Sequence, residues 1–472
     1  MRKHTITLLL ASLIFTSCTK KLYPDRSQFI PDGGVVPTVQ LDKYRSVQKR
    51  KGQQSDLAVG LAISGGGSRA ANFAIGVMLG LEDIPLEKEQ DVLDQVDYLS
   101  TVSGGGFAGG AYITALFEHE YFKDTSVFSL RAYLDKQIQK DLRESYVKSL
   151  IKGNLTPWYW FTKINDGDAL EKAVDDHVLG YKRRKKEDGT ARSILLGDIF
   201  ISKDSLHQPV RFPMHFANSS ILSTMAIFPF APDVLERYGV NGYTHRLKRI
   251  RRDSIDPYQI PLSIGIKASG SFPVLISNSI LCSQLNHDRC YLHLIDGAMS
   301  DNIGYYTALQ VLKQDTAPRK VIFIIDADTE GNRYTFSNRE AAKSAIAVYS
   351  RLASSGLDAR RIILERDLTE MGKRFGIYPV FFSYNALIRN NPAIPPAKIF
   401  VKKEQTRLIK LMKKNLDELT NVDLQILYEL VTNIGTKYSI TDEEQDLLLL
   451  TGQKIVRLQK KEILNALRIG GQ

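Results

Sequence analysis

Apolar and polar positions change period several times along the chain, and each change predicts an element. "DLAVGLAIS" (56–64) is a continuous apolar run, short enough for a strand buried on both faces. It runs into Gly65, Gly66 and Gly67, and a helix is expected from Arg69. "VDYLSTVS" (96–103) reads as the next strand, ending at Ser103 and three glycines. The pattern then turns helical at once, with Phe107, Ala108, Ala111, Tyr112, Ala115 and Leu116 on one face. "PLSIGIKASGSFP" (261–273) predicts a strand into a turn, and "YLHLIDGAMSDN" (291–302) a strand ending in Asp-Gly. "KVIFIIDAD" (320–328) is the most hydrophobic strand. Strands alternating with helical patterns imply an α/β fold with a largely parallel sheet.

The two ends differ from this middle. From about residue 403 the chain reads as amphipathic helices, "TRLIKLMKKNLDEL" and "TDEEQDLLLLTGQKIVRLQKKEILNAL", the second opened by Thr441 and Glu444 at capping-box spacing. Leu411, Met412, Ile455 and Leu458 are expected to pack inward rather than enter a membrane. At the other end, Arg2 and Lys3 precede an apolar run from Ile6 to Phe15, then Thr16, Ser17 and Cys18, a signal-peptide layout. A cysteine at the cleavage position resembles a bacterial lipoprotein signal, although Phe15 stands where such signals usually carry Leu. That resemblance implies a lipid on the Cys18 thiol and a place in the cell envelope. Thr19, not an aspartate, favours the outer membrane. An ordinary secretory signal or a buried N-terminal helix stays open. The expected organisation is a signal at 1–17, a Pro- and Gly-bearing tether at 18–55, a catalytic domain at 56–400 and a helical region at 401–472. Residues 120–260 would be an insertion or cap within the domain.

Composition narrows this picture only a little. The 472 residues are 43% hydrophobic and 24% charged, which is globular and neither fibrous nor disordered. The formal charge is +11, and loss of Arg2 and Lys3 with the signal leaves +9. In an envelope protein that balance points to anionic lipid or glycan, and nucleic acid is not an expected partner. The basic clusters at 182–186 and "HRLKRIRRD" (245–253) read first as solvated loops. Cys282 and Cys290 flank a polar segment and could close a disulfide outside the cytoplasm, with free thiols as the alternative. No Cys/His spacing indicates a metal, and no cofactor is expected.

The candidate chemistry lies where strands end. A serine on a sharp strand-to-helix turn stands above the sheet at a helix N-terminus, where negative charge is favoured. Gly104 and Gly105 supply the small neighbours that such an elbow needs on one side of Ser103; on the other, Thr101 replaces the usual glycine of G-x-S-x-G. A glycine run opening a helix, Gly65 to Gly67, offers bare N–H groups to an oxyanion, and Arg69 adds charge. Removing one such donor typically costs about 2.7–4 kcal/mol of transition-state stabilisation. The same glycines with Ala70 fit a dinucleotide fingerprint in which Asp83 would be the ribose acid, but Arg69 is unexpected there. Asp296 follows a strand and could take a serine proton directly; as Asp-Gly it could equally be a turn. A Ser–acid–His order is unavailable, because the last histidine, His293, precedes Asp296.

Together, "GGGSR" at 65–69, "VSGGG" at 102–106 and "DGA" at 296–298 resemble, in that order, the motifs of the patatin-like phospholipases, relatives of plant patatin and cytosolic phospholipase A2. "KASGSFP" (267–273) is similar to the family's Ala-Ser-x-x-Phe-Pro segment, and Asn302 sits where an asparagine often follows the aspartate. The likeness covers residues 56–330, with Thr101 as its main departure. It implies a three-layer α/β/α sandwich with a C-terminal helical extension. It also implies a lipid acyl hydrolase with Ser103 as nucleophile, Asp296 as base, and N–H groups of Gly66 and Gly67, assisted by Arg69, around the oxyanion. The substrate class would be membrane lipid or another acyl ester. A catalytically silent lipoprotein on the same fold, binding lipid or scaffolding a partner, is the alternative.

Overall fold

The computed structural model describes residues 36–45, 56–86, 90–122, 128–134, 166–184, 191–205, 212–273, 276–285, 288–328, 374–389, 401–437 and 439–469. Residues 1–35, including the signal layout and Cys18, lie outside them.

The core is one mixed sheet. Its parallel part runs β10 (Ile377–Ser383), β9 (Arg319–Asp326), β1 (Leu57–Ile63), β2 (Tyr98–Val102), β3 (Met214–Ile221). Beyond β3 the sheet continues antiparallel through β8 (Asp288–Asp296), β7 (Ser279–Leu285), β5 (Val240–His245) and β6 (Lys248–Arg251), while β4 (Ile227–Phe230) also pairs with β3. Every residue of β1 is buried, as a strand covered on both faces requires. The covering layers are visible from single positions. A Cβ on Gly60 would stand 3.0 Å from Leu312 of α5 (Tyr305–Gln314), so that helix covers one face. Ile63, three residues on and facing the other way, lies against Gly105 of α2 (Gly104–Tyr121). α1 (Gly67–Glu82) packs beside α2, and α4 (Leu262–Ser269) packs on β3 and β8.

Of the C-terminal helices, α6 (Val401–Lys414) and α8 (Asp442–Ile469) form as expected, with α7 (Asn421–Thr432), which the sequence pattern did not single out, between them. α8 opens on the capping box: Thr441 N–H donates to Glu444 Oε2 at 2.7 Å, and Glu444 N–H to Thr441 Oγ1 at 3.2 Å. It lies along α1 so closely that a Cβ on Gly76 would sit 2.2 Å from the Leu449 carbonyl oxygen. Met412 and Ile455 are buried and Leu411 half-buried, but Leu458 faces solvent. No described helix is long and apolar enough to cross a membrane.

Four further expectations are corrected. Residues 262–269 are helix, not strand. Their apolar positions alternate, but the polar ones between them are buried too: Ser263 donates to Glu171 at 2.5 Å, and Gly265 lies against the Phe230 ring. The alternation therefore did not mark an inner and an outer face. Residues 120–260 are not simply an inserted cap, because β3 within them is a central strand. Residues 36–45, expected as tether, pack on the domain, with Tyr44 buried and its hydroxyl 2.5 Å from Asp233. The two thiols are free. Cys282 pairs across the ladder with Tyr291, and Cys290 with Ser283, so adjacent ladder positions send the two side chains to opposite faces.

The basic clusters also acquire places. Lys248, Arg249 and Arg251 are exposed on β6, the edge strand, where charge discourages pairing with another chain. Arg184 is fully buried, its guanidinium 2.8 Å from Glu118, and Arg183 reaches the same carboxylate at 3.1 Å.

Candidate active site

Ser103 follows the last residue of β2 and precedes the first of α2, with φ 49° and ψ −119°. A non-glycine residue there carries strain that its surroundings must hold. The glycines around it let two loops interlock. A Cβ on Gly105 would be 2.6 Å from the Ile63 carbonyl oxygen, and one on Gly65 would be 3.3 Å from Ser103 Cβ. The 65–67 loop and the elbow are thus in direct contact.

Within that loop the three glycines have different tasks. The Gly65 N–H donates to the Asn302 carbonyl at 2.8 Å, which anchors the loop and removes this N–H as an oxyanion donor. Gly66 and Gly67 have φ of 139° and 61°, a turn that L side chains rarely adopt. Among the described residues nothing accepts from their N–H groups, and Gly67 opens α1. The Ser68 N–H donates to the Lys437 carbonyl at 2.9 Å, so the segment between α7 and α8 walls the loop. Arg69 is buried and engaged there as well: it donates to the Ile434 carbonyl at 3.0 Å and lies 3.8 Å from Asp328. It braces the loop from the side of the C-terminal region.

Asp296 ends β8, next to β3. Its N–H donates to the Ser271 carbonyl at 2.9 Å, its carbonyl accepts from Ser220 Oγ at 3.0 Å, and Oδ1 accepts from the Ala298 N–H at 2.9 Å. Burial pushes the carboxyl up to about 7, opposed by the Ala298 N–H and by the Ser103 hydroxyl beside it. The hydroxyl is within reach of the carboxylate without ideal alignment, since buried Oδ2 has no donor in ordinary hydrogen-bond geometry. Catalytic hydrogen bonds of this kind often tighten only in the reacting complex. A carboxyl held near neutrality beside a serine hydroxyl has the basicity that proton abstraction at physiological pH requires.

Thr101, the departure from the elbow motif, is accommodated by a reciprocal change. Its Oγ1 lies 2.8 Å from Nε2 of buried His215 on β3. A Cβ on Gly109 of α2 would stand 2.8 Å from Thr101 Cγ2, so the helix carries the glycine that the strand lacks. His215 is held down to about 3 by burial and is neutral. A cleft of about 570 Å3, including its mouth, opens beside Ser103 between Gly67, Asn72, Ile75, Phe107, Leu170 and Gly270. Leu170 comes from α3 (Asp166–Ala173), the described part of the 120–260 stretch that reaches the cleft.

Asp83 does not approach the glycine loop. It ends α1, a 16-residue helix and so about 24 Å long, and pairs with Arg131 at 2.9 Å. That geometry removes the dinucleotide reading. The sequence had marked the 267–273 segment and Asn302 only by likeness. It gave no sign of Lys437, whose contribution is a backbone carbonyl.

A serine elbow thus stands at the C-terminal end of a parallel strand of an α/β sheet, facing a glycine loop and a buried carboxylate. The family model for patatin-like phospholipases matches residues 61–309, and the chain belongs to that family. Among solved structures, human GIVD cytosolic phospholipase A2 is similar at 11% identity and a TM-score of 0.42, over 88% of this chain and 62% of that one. The same enzyme in complex with methyl gamma-linolenyl fluorophosphonate matches at 13% identity and a TM-score of 0.42, over 90% and 61%. This chain thus spans about three fifths of the length of those structures. Among curated proteins no sequence matches significantly.

Proposed function

We propose that the protein cleaves acyl esters of membrane lipids by a Ser103–Asp296 dyad. Asp296 takes the hydroxyl proton as Ser103 Oγ attacks the acyl carbonyl carbon. The oxyanion that forms faces the N–H groups of Gly66 and Gly67 at the positive end of α1. Collapse of the tetrahedral species breaks the ester bond, and the departing alcohol takes the proton from Asp296. Water, deprotonated by the same carboxylate, then attacks the acyl-serine, releasing the fatty acid and restoring the Ser103 hydroxyl. The chain's own residues supply nucleophile, base and donors. The carrying observation is the strained Ser103 with its hydroxyl beside a buried carboxyl raised to about 7.

The cleft walls suit an acyl chain, with Ile75, Phe107 and Leu170 beside the nucleophile. Thr101 is the feature that favours a catalytically silent scaffold, and the glycine at 109 weakens that objection. Lipidation of Cys18 and residence in the bacterial envelope belong to the same reading and rest on residues 1–18 alone. The mass of the mature N-terminal peptide tests them.

The decisive experiment treats the protein with a fluorophosphonate and, in parallel, with phospholipid vesicles whose released fatty acids are measured. Wild type should take one label at Ser103 and release fatty acid, whereas Ser103→Ala does neither. Fatty-acid release by a folded Ser103→Ala protein would overturn the assignment.

A further inference from the structure

We propose that Ser269 is a positioning residue for the nucleophile, its Oγ fixing the Ser103 amide and so the direction in which the Ser103 side chain leaves the elbow. The inference deepens the hydrolase reading above and rests on it.

Ser103 lies one residue beyond the last ladder partner of β2, where the strand turns into the elbow. The acceptor is Ser269 Oγ, at 2.9 Å. Ser269 is the last residue of α4 and is fully buried. A buried hydroxyl is unfavourable unless it has a partner, and the Ser103 amide is one. Two residues further on, the Ser271 carbonyl accepts the Asp296 N–H at 2.9 Å, while Ser271 Oγ donates to the Lys267 carbonyl at 2.9 Å. Gly270 between them lines the cleft. Residues 269–271 therefore hold the amide of the nucleophile, one wall of the cleft and the amide of the base in succession.

The support is itself rigid. α4 is tied to α3 through Ser263 and Glu171, and Gly265 seats it on Phe230 of β4. The chemical consequence follows from the elbow's φ of 49°. In that conformation the backbone does not hold itself, and a small rotation of the peptide plane before Ser103 swings Cβ, and Oγ with it, away from the carboxylate. An acceptor clamped on the amide suppresses that rotation. Ser269 touches neither substrate nor the reacting atoms and acts through Ser103.

The test compares wild type, Ser269→Ala, Ser269→Thr and Ser269→Cys in the full chain. It measures the second-order rate of fluorophosphonate labelling, kcat and KM on vesicles, and thermal unfolding. Ser269→Ala should slow labelling and kcat together by roughly 10- to 100-fold, the scale of an ångström-level misplacement. KM should stay within about twofold, because the cleft is unchanged. Ser269→Thr keeps the acceptor and should recover most of the rate. Ser269→Cys keeps the size with a weak acceptor and should stay slow. A general packing role would lower the unfolding temperature without this ordering. If Ser269→Ala does not fold, the Thr and Cys variants decide: equal labelling rates overturn the proposal. Wild-type rates in a folded Ser269→Ala protein overturn it too, leaving the hydrolase reading intact. A wild type that takes no label overturns both.

Discussion

Gly104, immediately after the nucleophile candidate, lies so near Gly67 that a Cβ on it would stand 2.1 Å from the Gly67 carbonyl oxygen. The elbow and the glycine loop are therefore not two adjacent motifs but one joint, and neither can thicken without moving the other.

Gly104→Ala is the direct probe of that joint. The obstacle is backbone rather than a flexible side chain, so the loops must separate. The expected outcome is a folded protein whose fluorophosphonate labelling falls by about 100-fold or more, as reacting groups lose their alignment. Labelling at the wild-type rate would show that the loop plays no part in the reaction.

The pH dependence carries two linked expectations. Burial raises Asp296 to about 7, against about 3.9 for an unfolded aspartate. Between those values the folded protein holds a proton that the unfolded chain has released, so this group makes stability fall as pH rises through the window. Asp296→Asn cannot ionise, and its unfolding temperature should gain on wild type from about pH 4 to about pH 7, with no further gain above that. Turnover should be lost in that variant at every pH. In wild type, kcat/KM should decline below about pH 7 as the base protonates. A rate flat across this range would assign the base elsewhere.

Restoring the familiar glycine should harm the protein. Thr101→Gly removes the partner of His215 Nε2 and leaves a void against Gly109. The loss should be about 2–4 kcal/mol, read as a lower unfolding temperature. The labelling rate should not rise. A faster enzyme would mean that threonine distorts the elbow.

Cys282 and Cys290 should both alkylate in denaturant without prior reduction, because they face opposite sides of the β7–β8 ladder. Recovery of a cross-linked peptide joining them would contradict that geometry.

Much of this molecule was legible in the chain. The uninterrupted apolar runs of β1 and β9 announce strands with both faces covered, and Ser103 and Asp296 mark strand ends by the glycines that follow. The helix at 262–269 is not legible in the pattern because its polar positions are buried as well, Ser263 against Glu171 and Ser269 against the Ser103 amide, so alternation carries no facial meaning. The acceptor for Ser103 N–H is 166 residues away, and no local pattern encodes such a pairing. Arg69 reads from sequence as a charge for the oxyanion, yet its carbonyl and carboxylate partners lie at Ile434 and Asp328. Those partners become visible only when distant segments fold together.

The carbonyl of Lys437 on Ser68 has a consequence for where this protein can be cut. The recognisable signature stops at residue 309, but the glycine loop leans on chain made more than a hundred residues later. The portion that looks like a portable cassette lacks a contact that the full chain makes to its glycine loop. Grafts or truncations that keep only the signature would carry Ser103 and the glycine loop without the carbonyl that abuts it.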